Sequence, residues 1–496
     1  MKSDERFLQL LQEFETTVNQ SGLARSTSGN QILTALKFIR AGEFEDATKA
    51  IGETTGNSPT AAFVLQGVVA GKRQELKQSE AKFLAAVDAP EPAFDVLCLN
   101  GDFARHFGHY ETAIKSFDRA IEVAPHASHA HLRRGKTYSE AGDVSAAIDD
   151  LLRATLLQPN FVDAHIALGD EYRSANMTDA AAKCYEAALK LDPQNAAART
   201  GLDLTLALVL PQWHSAMLND ELRNRAFDTA IAAAVTPDSM VLDIGTGTGL
   251  LAMMAARAGA KKVLGCESIG MLAKTAKEIV NRNGFDDRIS IVHKRSQDLS
   301  LGEDLDAPAD ILIAELVDVG LLGENILPIV TDTLNRLCKP GATIIPCGAS
   351  IFAAPIESEE LARERQVSQA SGFEISPFNS LRPNIYLQTN LSKYDWRLLS
   401  NPVEVFTFDF SCPEPKTRQT EIRLVPHTDG LAHGIAFWFD LHLNAEISIS
   451  TSPSEAPTHW HQAVYTQSEP LELKQNEPVR LIANHNQSKI SFTLES

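Results

Sequence analysis

Two glutamates that lie nine residues apart can share one chemical task. Glu315 closes an apolar run that begins at Ala309, and Glu324 follows across a short segment that contains glycine. Two carboxylates on a short loop can receive a planar guanidinium through paired hydrogen bonds, and a carboxylate can accept the proton that the guanidinium loses as a nucleophile. Two glutamates on a loop are more often merely solvated, so the pair alone does not decide the function.

A glycine-rich turn precedes this pair and follows a predicted strand, Val241–Ile244. The turn reads G-T-G-T-G, with Asp243 two residues before it, and its glycines are Gly245, Gly247 and Gly249. Glycines let a ligand approach the backbone at the carboxyl end of a parallel strand. The next predicted strand ends in Glu267, a carboxylate that can accept both hydroxyls of a ribose. The pattern suits a nucleoside that carries no pyrophosphate.

This combination resembles the first motif and the ribose acid of class I S-adenosylmethionine-dependent methyltransferases, with a nicotinamide-dependent enzyme as the alternative. The resemblance implies S-adenosyl-L-methionine as the cofactor. In that family the end of the next strand meets the adenine, and Ser296 and Gln297 occupy that place here, with Gln297 facing the exocyclic amine. Each of these residues taken alone is equally compatible with a polar surface position.

Three segments follow one another along the chain in the same order as in protein arginine methyltransferases, and the resemblance to that family covers residues 206–496. They are the paired-glutamate loop, the Thr-His-Trp run at Thr458–Trp460, and the helical segment His214–Arg223. The resemblance implies that Arg223 pairs with the cofactor's carboxylate and that Met217 packs beside the sulfonium. It also implies that His459 hydrogen-bonds Asp220 and that Trp460 walls the arginine slot. The implied catalytic residues are Glu315, Glu324, His459 and Asp220, and the implied cofactor-binding residues are Met217, Arg223, Asp243, Gly245, Gly247, Gly249, Glu267, Ser296, Gln297 and Glu315.

The loop between the glutamates departs from the commonest family members. Leu316–Gly320 stands where those members carry Trp-Met-Gly-Tyr, and this version resembles the subgroup with N-terminal repeats and two tandem catalytic modules. Only one module is present, so a homodimer through residues 360–400 is expected. An acidic residue such as Asp318 is associated in the family with monomethyl or symmetric dimethyl products, which makes Asp318 a candidate substrate-binding residue. It can equally be a loop cap.

The residues in front of this module contain an internal repeat. Five sets of residues recur at a step of 34: Gly101, Gly135 and Gly169; Ala113, Ala147 and Ala181; Phe117, Leu151 and Tyr185; Ala120, Ala154 and Ala188; Pro125, Pro159 and Pro193. A period of 34 is typical of the tetratricopeptide (TPR) repeat, in which each unit is two antiparallel helices. Gly67, Phe83 and Ala86 predict a degenerate earlier unit, and residues 35–51 read as one more helix–turn–helix. The concave face of such an array predicts a bound protein partner, with a spacer or a dimerisation platform as the alternative.

The predicted fold is therefore multidomain. An all-α TPR solenoid covers 5–200, with clear units at 94–195, and an α/β class I (Rossmann-like) methyltransferase domain covers 206–350. Strand-like runs dominate residues 351–496, which predict a C-terminal antiparallel β-barrel, with a sandwich as the alternative.

The charge and cysteine content of the chain limit the classes of partner and ligand that it is expected to bind. The net charge of −19 argues against a direct nucleic-acid binder and suits a basic, arginine-containing protein substrate, although acidity also simply aids solubility. The six cysteines form no C-x-x-C pair, so reduced core thiols are expected and no metal site. With no signal-like or membrane-length apolar run, the expected location is cytoplasmic, or nuclear in a eukaryote.

The sequence predicts a protein arginine N-methyltransferase whose repeats recruit a partner or substrate. One alternative is a catalytically impaired TPR adaptor that still binds cofactor. A second is a methyltransferase that acts on another nucleophile, including a small molecule. The intact acidic, histidine and arginine positions disfavour the adaptor, and the paired glutamates with the Thr-His-Trp run disfavour the other nucleophile.

Overall fold

The chain folds into two compact units, Met1–Leu210 and Pro211–Ser496. The computed structural model describes residues 2–21, 26–52, 59–90, 92–210, 213–381, 385–412 and 417–495. Among these residues, we find no helix with the length and apolarity needed to span a bilayer.

The first unit is built from α-helices throughout its described residues. The helices are α1 (Lys2–Gln20), α2 (Thr27–Ala41), α3 (Phe44–Gly52), α4 (Pro59–Lys72), α5 (Leu76–Val87), α6 (Phe94–His106), α7 (Tyr110–Val123), α8 (Ser128–Ala141), α9 (Val144–Leu157), α10 (Val162–Ser174), α11 (Thr178–Leu191) and α12 (Ala196–Val209). From α2 onward they pack as successive pairs, α2 with α3 through α10 with α11, and α12 covers α11. The predicted boundary at residues 200–206 lies inside α12.

The 34-residue period has a direct packing cause. In each pair from α4 and α5 to α10 and α11, the glycine of the first helix lies under the large side chain sixteen residues later on the second helix. A Cβ at Gly101 would lie 2.5 Å from the ring of Phe117, and a Cβ at Gly169 would lie 2.8 Å from the ring of Tyr185. Gly67 meets Phe83 in the same way, which confirms the degenerate unit over α4 and α5. The missing Cβ lets the two helices approach closely enough to bury the ring.

The turns between paired helices use a left-handed backbone. Gly108, Gly142 and Asn176 have φ of 79°, 87° and 57°. Glycine and asparagine adopt this conformation at little cost, which ends one helix and starts the antiparallel return. Gly42, with φ of 77°, does the same between α2 and α3, where the sequence predicts the additional helix–turn–helix.

The second unit begins with a parallel sheet flanked by helices. Its elements are α13 (Trp213–Leu218), α14 (Glu221–Ala234), β1 (Met240–Ile244), α15 (Leu250–Arg257), β2 (Lys262–Glu267), α16 (Gly270–Arg282), β3 (Ile289–His293), β4 (Ala309–Ile313), α17 (Ile326–Leu337) and β5 (Cys338–Ile345). The strand order is β3-β2-β1-β4-β5, and every pairing is parallel. The order reverses between β1 and β4, and the carboxyl ends of strands at such a switch point form the usual ligand crevice of an α/β sheet. These elements confirm the predicted α/β class.

The rest of the unit is mainly antiparallel. Its elements are β6 (Gly348–Glu357), α18 (Glu359–Arg365), β7 (Gln369–Ala370), β8 (Phe373–Glu374), β9 (Leu387–Thr389), β10 (Arg397–Leu398), β11 (Val403–Asp409), β12 (Arg418–Leu424), β13 (Gly430–His442), β14 (Ser448–Ser450), β15 (Gln462–Leu473), β16 (Val479–His485) and β17 (Ile490–Glu495). The predicted boundary at 350–351 lies inside β6. A central sheet runs β10-β6-β13-β15-β9, with β11 on β6 and β14 on β13, and a second sheet runs β12-β16-β17.

The predicted antiparallel β-structure is present, but over the part of the chain that the structure describes the predicted barrel is not closed. Within the described residues the two antiparallel sheets share no backbone ladder, so the strands do not close into one ring. The sheets meet through side chains instead: Phe437 of the central sheet packs on Phe492, and Phe406 packs on His485. Buried aromatic contacts between two faces hold them together without the continuous hydrogen bonding that closure requires.

Candidate active site

The glycine-rich turn sits at the carboxyl end of β1 and leaves open space. Gly245, Gly247 and Gly249 have φ of 68°, 55° and 79°, a region that strains other residues. Leu316 packs 2.6 Å from the position of a Cβ at Gly245. Beside Gly247 the nearest atoms to such a Cβ are the carbonyl of Gly245 and His214 Nε2, both 3.9 Å away. The turn therefore keeps backbone accessible at the switch point of the sheet.

Asp243 lies beneath this turn. Its carboxylate is buried and accepts a hydrogen bond from the hydroxyl of Thr246 at 2.5 Å. Burial raises the pKa of Asp243 to about 7 against the opposing effect of the Thr246 hydrogen bond. The observed contacts make it a support for the turn, and its predicted contact with a cofactor stays a prediction.

Glu267 ends β2 beside the turn, as the sequence predicts. One carboxylate oxygen accepts the backbone N–H of Gly247 at 3.1 Å, and the other accepts the N–H of Ile269 at 2.9 Å. The first of these, Oε2, keeps a further lone pair for a hydroxyl donor, whereas Oε1 also accepts a long hydrogen bond from the Ser268 hydroxyl at 3.5 Å. Ser296 and Gln297 begin a short 3-10 helix after β3; Ser296 is buried and Gln297 is exposed.

Arg223 and Glu315 form a nearly buried ion pair at the same sheet edge. Arg223 Nη2 donates to Oε2 of Glu315 at 2.7 Å, and the two side chains are 3% and 10% exposed. The Arg223 guanidinium also lies 5.0 Å from the ring centre of Phe227. Arg223, which the sequence predicts to bind the carboxylate of the cofactor, is thus paired with the first of the two glutamates. The sequence did not predict this contact.

Buried polar atoms without a partner line this place. Arg223 Nε and both ring nitrogens of His214 are buried and have no hydrogen-bond partner among the described residues. Buried donors and acceptors are almost always paired in native proteins, so an unpaired group calls for a ligand or water. Burial lowers the pKa of His214, while Glu267 and Glu315 oppose the shift. A polar ligand that lies over Gly247 can meet these atoms, and Met217 follows on the same short helix, α13.

The predicted contact between Asp220 and His459 is present. Asp220 Oδ2 accepts both the backbone N–H of His459 at 2.9 Å and its Nδ1–H at 3.0 Å, and Oδ1 accepts the backbone N–H of Arg223. Burial alone would raise the pKa of Asp220, but these hydrogen bonds lower it to about 2. The carboxylate remains ionised and caps α14, so it fixes the start of the helix that carries Arg223.

Trp460 supports the paired-glutamate loop from behind. The side chain is 3% exposed, and its indole Nε1–H donates to the carbonyl of Val317 at 3.0 Å. Its ring packs against those of His459 and Phe439. Because the ring is almost fully enclosed by protein, its observed role is to hold the loop, and its predicted role as a wall of the substrate slot stays a prediction.

Glu324 is the half-buried second glutamate. Burial raises its pKa to about 7, and repulsion from Glu315, Asp318 and Glu267 adds to the effect. An acid raised in this way by burial and by like charges lacks a cation, and a guanidinium placed between Glu315 and Glu324 would supply one. The two glutamates therefore act electrostatically on each other, as a shared site requires.

Asp318 makes three contacts that organise the loop. Its Oδ1 accepts the backbone N–H groups of Gly320 at 3.1 Å and Gly323 at 2.8 Å. Its Oδ2 accepts the hydroxyl of Tyr386 at 2.8 Å. These contacts favour the loop-cap interpretation of Asp318, and none of them supports the prediction that it binds substrate.

Two residues of this site were not predicted as functional. Tyr386 lies before β9, 68 positions from Asp318, and packs edge-on against Phe437. Nothing in its local sequence signals the contact. Thr246 had a signal, because a hydroxyl three residues after a buried aspartate commonly bonds it across a turn.

A parallel sheet with an open glycine turn at its switch point, a strand-end acid and unpaired polar atoms beside them define a class I methyltransferase unit. The comparisons agree: residues 225–354 match the model of the ribosomal protein L11 methyltransferase family (PrmA), and residues 348–495 match the arginine methyltransferase oligomerization subdomain. Tetratricopeptide repeat models match 101–160 and 162–195.

Curated relatives narrow the family. An arginine N(omega)-methyltransferase of Streptomyces achromogenes subsp. streptozoticus is 35% identical over 272 residues, which cover 55% of this chain and 75% of that protein. Protein arginine N-methyltransferase 7 of Oryza sativa subsp. indica is 36% identical over 316 residues, and the chain spans only 44% of it. The chain belongs to the arginine methyltransferase family.

A solved structure agrees with the fold. The Trypanosoma brucei PRMT1 enzyme-prozyme heterotetrameric complex with AdoHcy aligns with a TM-score of 0.52 at 27% identity. The alignment covers 58% of this chain and 93% of that one.

Proposed function

We propose that this protein transfers a methyl group from S-adenosyl-L-methionine to a guanidino nitrogen of arginine in a protein substrate. The observation that carries the proposal is the mutual repulsion of Glu315 and Glu324 in a site that also includes Glu267, whose carboxylate accepts the backbone N–H of Gly247. The ion pair of Glu315 with Arg223 joins the two halves of the site. Family membership supports the reaction, and the AdoHcy of the Trypanosoma brucei complex supports the cofactor.

The residues present fit that cofactor. S-adenosylmethionine supplies an electrophilic methyl group on a sulfonium. In this proposal Glu267 holds the ribose of the cofactor, Gly247 lets the cofactor approach the backbone, and Arg223 meets its carboxylate. The unpaired Nε of Arg223 and the unpaired ring of His214 are the groups in need of such a ligand.

The chain's own carboxylates prepare the nucleophile. An arriving guanidinium stabilises the ionised form of Glu324, so it lowers the raised pKa of that group and is bound by both glutamates. Hydrogen bonds to one side of the guanidinium draw its positive charge there and leave the far nitrogen free to attack in line. A carboxylate that is hydrogen-bonded to the guanidinium can accept the proton that is released on methyl transfer.

Labelled cofactor tests the reaction. The protein is incubated with methyl-labelled S-adenosylmethionine and an arginine-rich polypeptide, the product is hydrolysed, and the methylated amino acid is identified. Label on arginine supports the proposal. Label on lysine, or no label with any arginine substrate, would contradict it. Chromatography of the same hydrolysate separates the monomethyl, symmetric dimethyl and asymmetric dimethyl products.

Free arginine is the second candidate substrate. The Streptomyces relative is named for arginine without mention of a protein. A parallel reaction with free arginine in place of the polypeptide decides between them, because a protein methyltransferase should strongly prefer the polypeptide. An adaptor that had lost its chemistry would bind cofactor and label neither.

We also propose a homodimer through residues 360–400. Several apolar side chains in this stretch are exposed, namely Phe373, Phe378, Leu381, Ile385 and Leu387. The stretch lies in the region that matches the oligomerization subdomain, and residues 382–384 lie outside the described part. Exposed apolar patches of this kind mark protein interfaces. Light scattering should give a mass of two chains for the wild-type protein, and Phe373→Asp should shift the measured mass toward that of one chain.

The repeats are proposed to recruit a protein partner, and a cytoplasmic location stays a prediction.

A further inference from the structure

Helix α1 departs from the architecture of the repeat array. In a solenoid each unit contacts only its neighbours, so a terminal helix normally covers one end. Helix α1 instead runs across the first helices of four successive pairs. It reaches Arg40 on α2, Lys72 on α4, Phe103 on α6 and Arg133 on α8. These first helices form one continuous groove, which we call the α1 groove.

The contacts are of two kinds, and the first is apolar. Five side chains on one face of α1 are buried: Phe7, Leu10, Leu11, Phe14 and Val18. Their spacing of three, four and seven residues makes one helical stripe. Phe7 and Phe14 both pack on Phe103, with ring centres 6.3 Å and 6.2 Å apart. Leu8, on the opposite face of the same helix, is 51% exposed.

The second kind of contact is ionic and has a consistent sign. Cations of the groove meet acids of α1 at three points: Arg40 with Glu15 at 2.7 Å, Lys72 with Asp4 at 3.9 Å, and Arg133 with Glu13 at 3.9 Å. In a chain of net charge −19, a groove that presents cations to its occupant is selective. It favours an acidic amphipathic helix and disfavours an arginine-rich segment.

Helix α1 does not fill the groove completely. A cavity of about 550 Å³ remains between the polar side of α1, including Gln9 and Thr16, and the inner faces of α6 and α8 at Leu99 and His129. A second chain can therefore reach the edge of the α1 contact without prior unfolding of the array.

We propose that the α1 groove is a docking site for an acidic amphipathic helix of a partner protein, and that α1 is its resident occupant, which the partner displaces. The inference rests on the proposed partner-binding role of the repeats. It assigns the ligand chemistry as a stripe of phenylalanine and leucine flanked by aspartate or glutamate. It also separates partner docking from recognition of the target arginine.

A labelled peptide tests the proposal on the full-length protein. The probe is a fluorescent peptide of residues 2–20, titrated by anisotropy without methyl donor, so a failure of methyl transfer does not affect the result. A helix tethered in cis competes at an effective concentration on the order of millimolar. We expect Phe14→Asp to strengthen probe binding at least about 10-fold over wild type, because it releases α1. Leu8→Asp, the matched control, should bind the probe as wild type does.

Two further measurements keep the test decisive if Phe14→Asp folds poorly. Hydrogen exchange of the wild-type chain with excess peptide should lose protection in α1 while α6 and α7 keep theirs. A peptide with serine at positions 7 and 14 should leave the exchange of α1 unchanged. Raised salt should weaken the binding of the probe, because it screens the ionic contacts. Equal affinity in all three proteins, or unchanged α1 exchange at saturating peptide, would show that α1 is a permanent part of the core.

Discussion

The two units use glycine and buried charge in opposite ways. In the repeat array, the space above Gly101 is filled by Phe117, and the buried carboxylate of Asp102 is paired with Arg105 and Arg133. In the catalytic unit, the space beside Gly247 is open, and buried groups of His214 and Arg223 have no described partner. Around Gly101 and Asp102 the array completes its own packing, whereas beside Gly247 the catalytic unit leaves polar groups that a ligand can complete. The contrast distinguishes residues kept for the fold from residues kept for chemistry.

Replacing the second glutamate should have the largest effect. Glu324→Gln removes the charge that faces Glu315 and leaves the Arg223–Glu315 pair intact. We expect methyl transfer to fall about 1,000-fold, in the range seen for loss of a positioned acid–base group, and cofactor affinity to change less than about twofold. Initial rates and calorimetry measure the two effects.

Two comparisons frame that result. Glu303→Gln, on an exposed side chain that contacts Lys294, should leave the rate unchanged. Glu315→Gln should weaken both turnover and cofactor binding, because it also frees Arg223. If Glu324→Gln kept more than a tenth of the wild-type rate, the unpaired carboxylate of Glu324 would have no role in catalysis.

The same carboxylate should make stability depend on pH. The folded pKa of Glu324 is raised to about 7 from an ordinary value of 4.5. Between these values the unfolded chain has released the proton and the folded chain has kept it, so stability falls as pH rises through the window. The loss is up to about 3 kcal/mol for Glu324, on the order of 1.4 kcal/mol per pKa unit. Asp243 has the same sign in the same window.

Urea unfolding of the substrate-free protein between pH 5 and 8 measures this dependence. Glu324→Gln should flatten the curve in part, and the remainder should belong to Asp243. Asp220 acts in the other direction. Its pKa is lowered to about 2, so its contribution is present above its ordinary pKa and is lost as pH falls through about 2. A wild-type curve that is flat from pH 5 to 7 would contradict the raised pKa.

A methyl group beside the open turn tests whether the space belongs to a ligand. In Gly247→Ala the new Cβ meets nothing closer than 3.9 Å, and the φ of 55° adds strain on the order of 1–2 kcal/mol. We expect cofactor affinity to fall about 10-fold or more, equivalent to 1.4 kcal/mol. Gly284→Ala is the control, because Gly284 also has a left-handed φ, 71°, and open surroundings away from the turn. It should lose similar stability and keep its affinity. Equal affinities in the two variants would argue against a cofactor at this turn.

The converse substitution in the array should affect stability alone. A Cβ at Gly101 would lie 2.5 Å from the Phe117 ring, so Gly101→Ala overpacks the pair α6 and α7. We expect a loss of about 1–2 kcal/mol in the free energy of unfolding, since the gain in helix propensity offsets part of the clash. Gly52→Ala, at the open end of α3, should be neutral or stabilising. Thermal unfolding checks both, and unchanged methyl transfer by Gly101→Ala at low temperature would separate the units functionally.

The contrast also explains what the sequence could predict. The repeat and the glycine turn were predictable, because Gly101 with Phe117 and Gly245 with Gly247 are local spacings with one geometric meaning. The contact of Asp220 with His459 was predictable only through family resemblance, because 239 residues separate them. The placement of α1, the Arg223–Glu315 pair and the separation of the two antiparallel sheets depend on tertiary packing that no local pattern specifies.

The smallest expected effect sharpens the contrast from inside the catalytic unit. Asp318 is the one loop acid whose oxygens all have described protein donors, and Tyr386→Phe removes one of them. A partly buried carboxylate that loses a hydrogen bond costs on the order of 1 kcal/mol, so we expect a fall of about fivefold in kcat with little change in cofactor affinity. Tyr394→Phe removes a hydroxyl bond of the same length to Glu364 and should not change the rate. If both variants matched wild type, the loop would be held by Trp460 and the backbone alone, and Asp318 would be free to contact substrate after all.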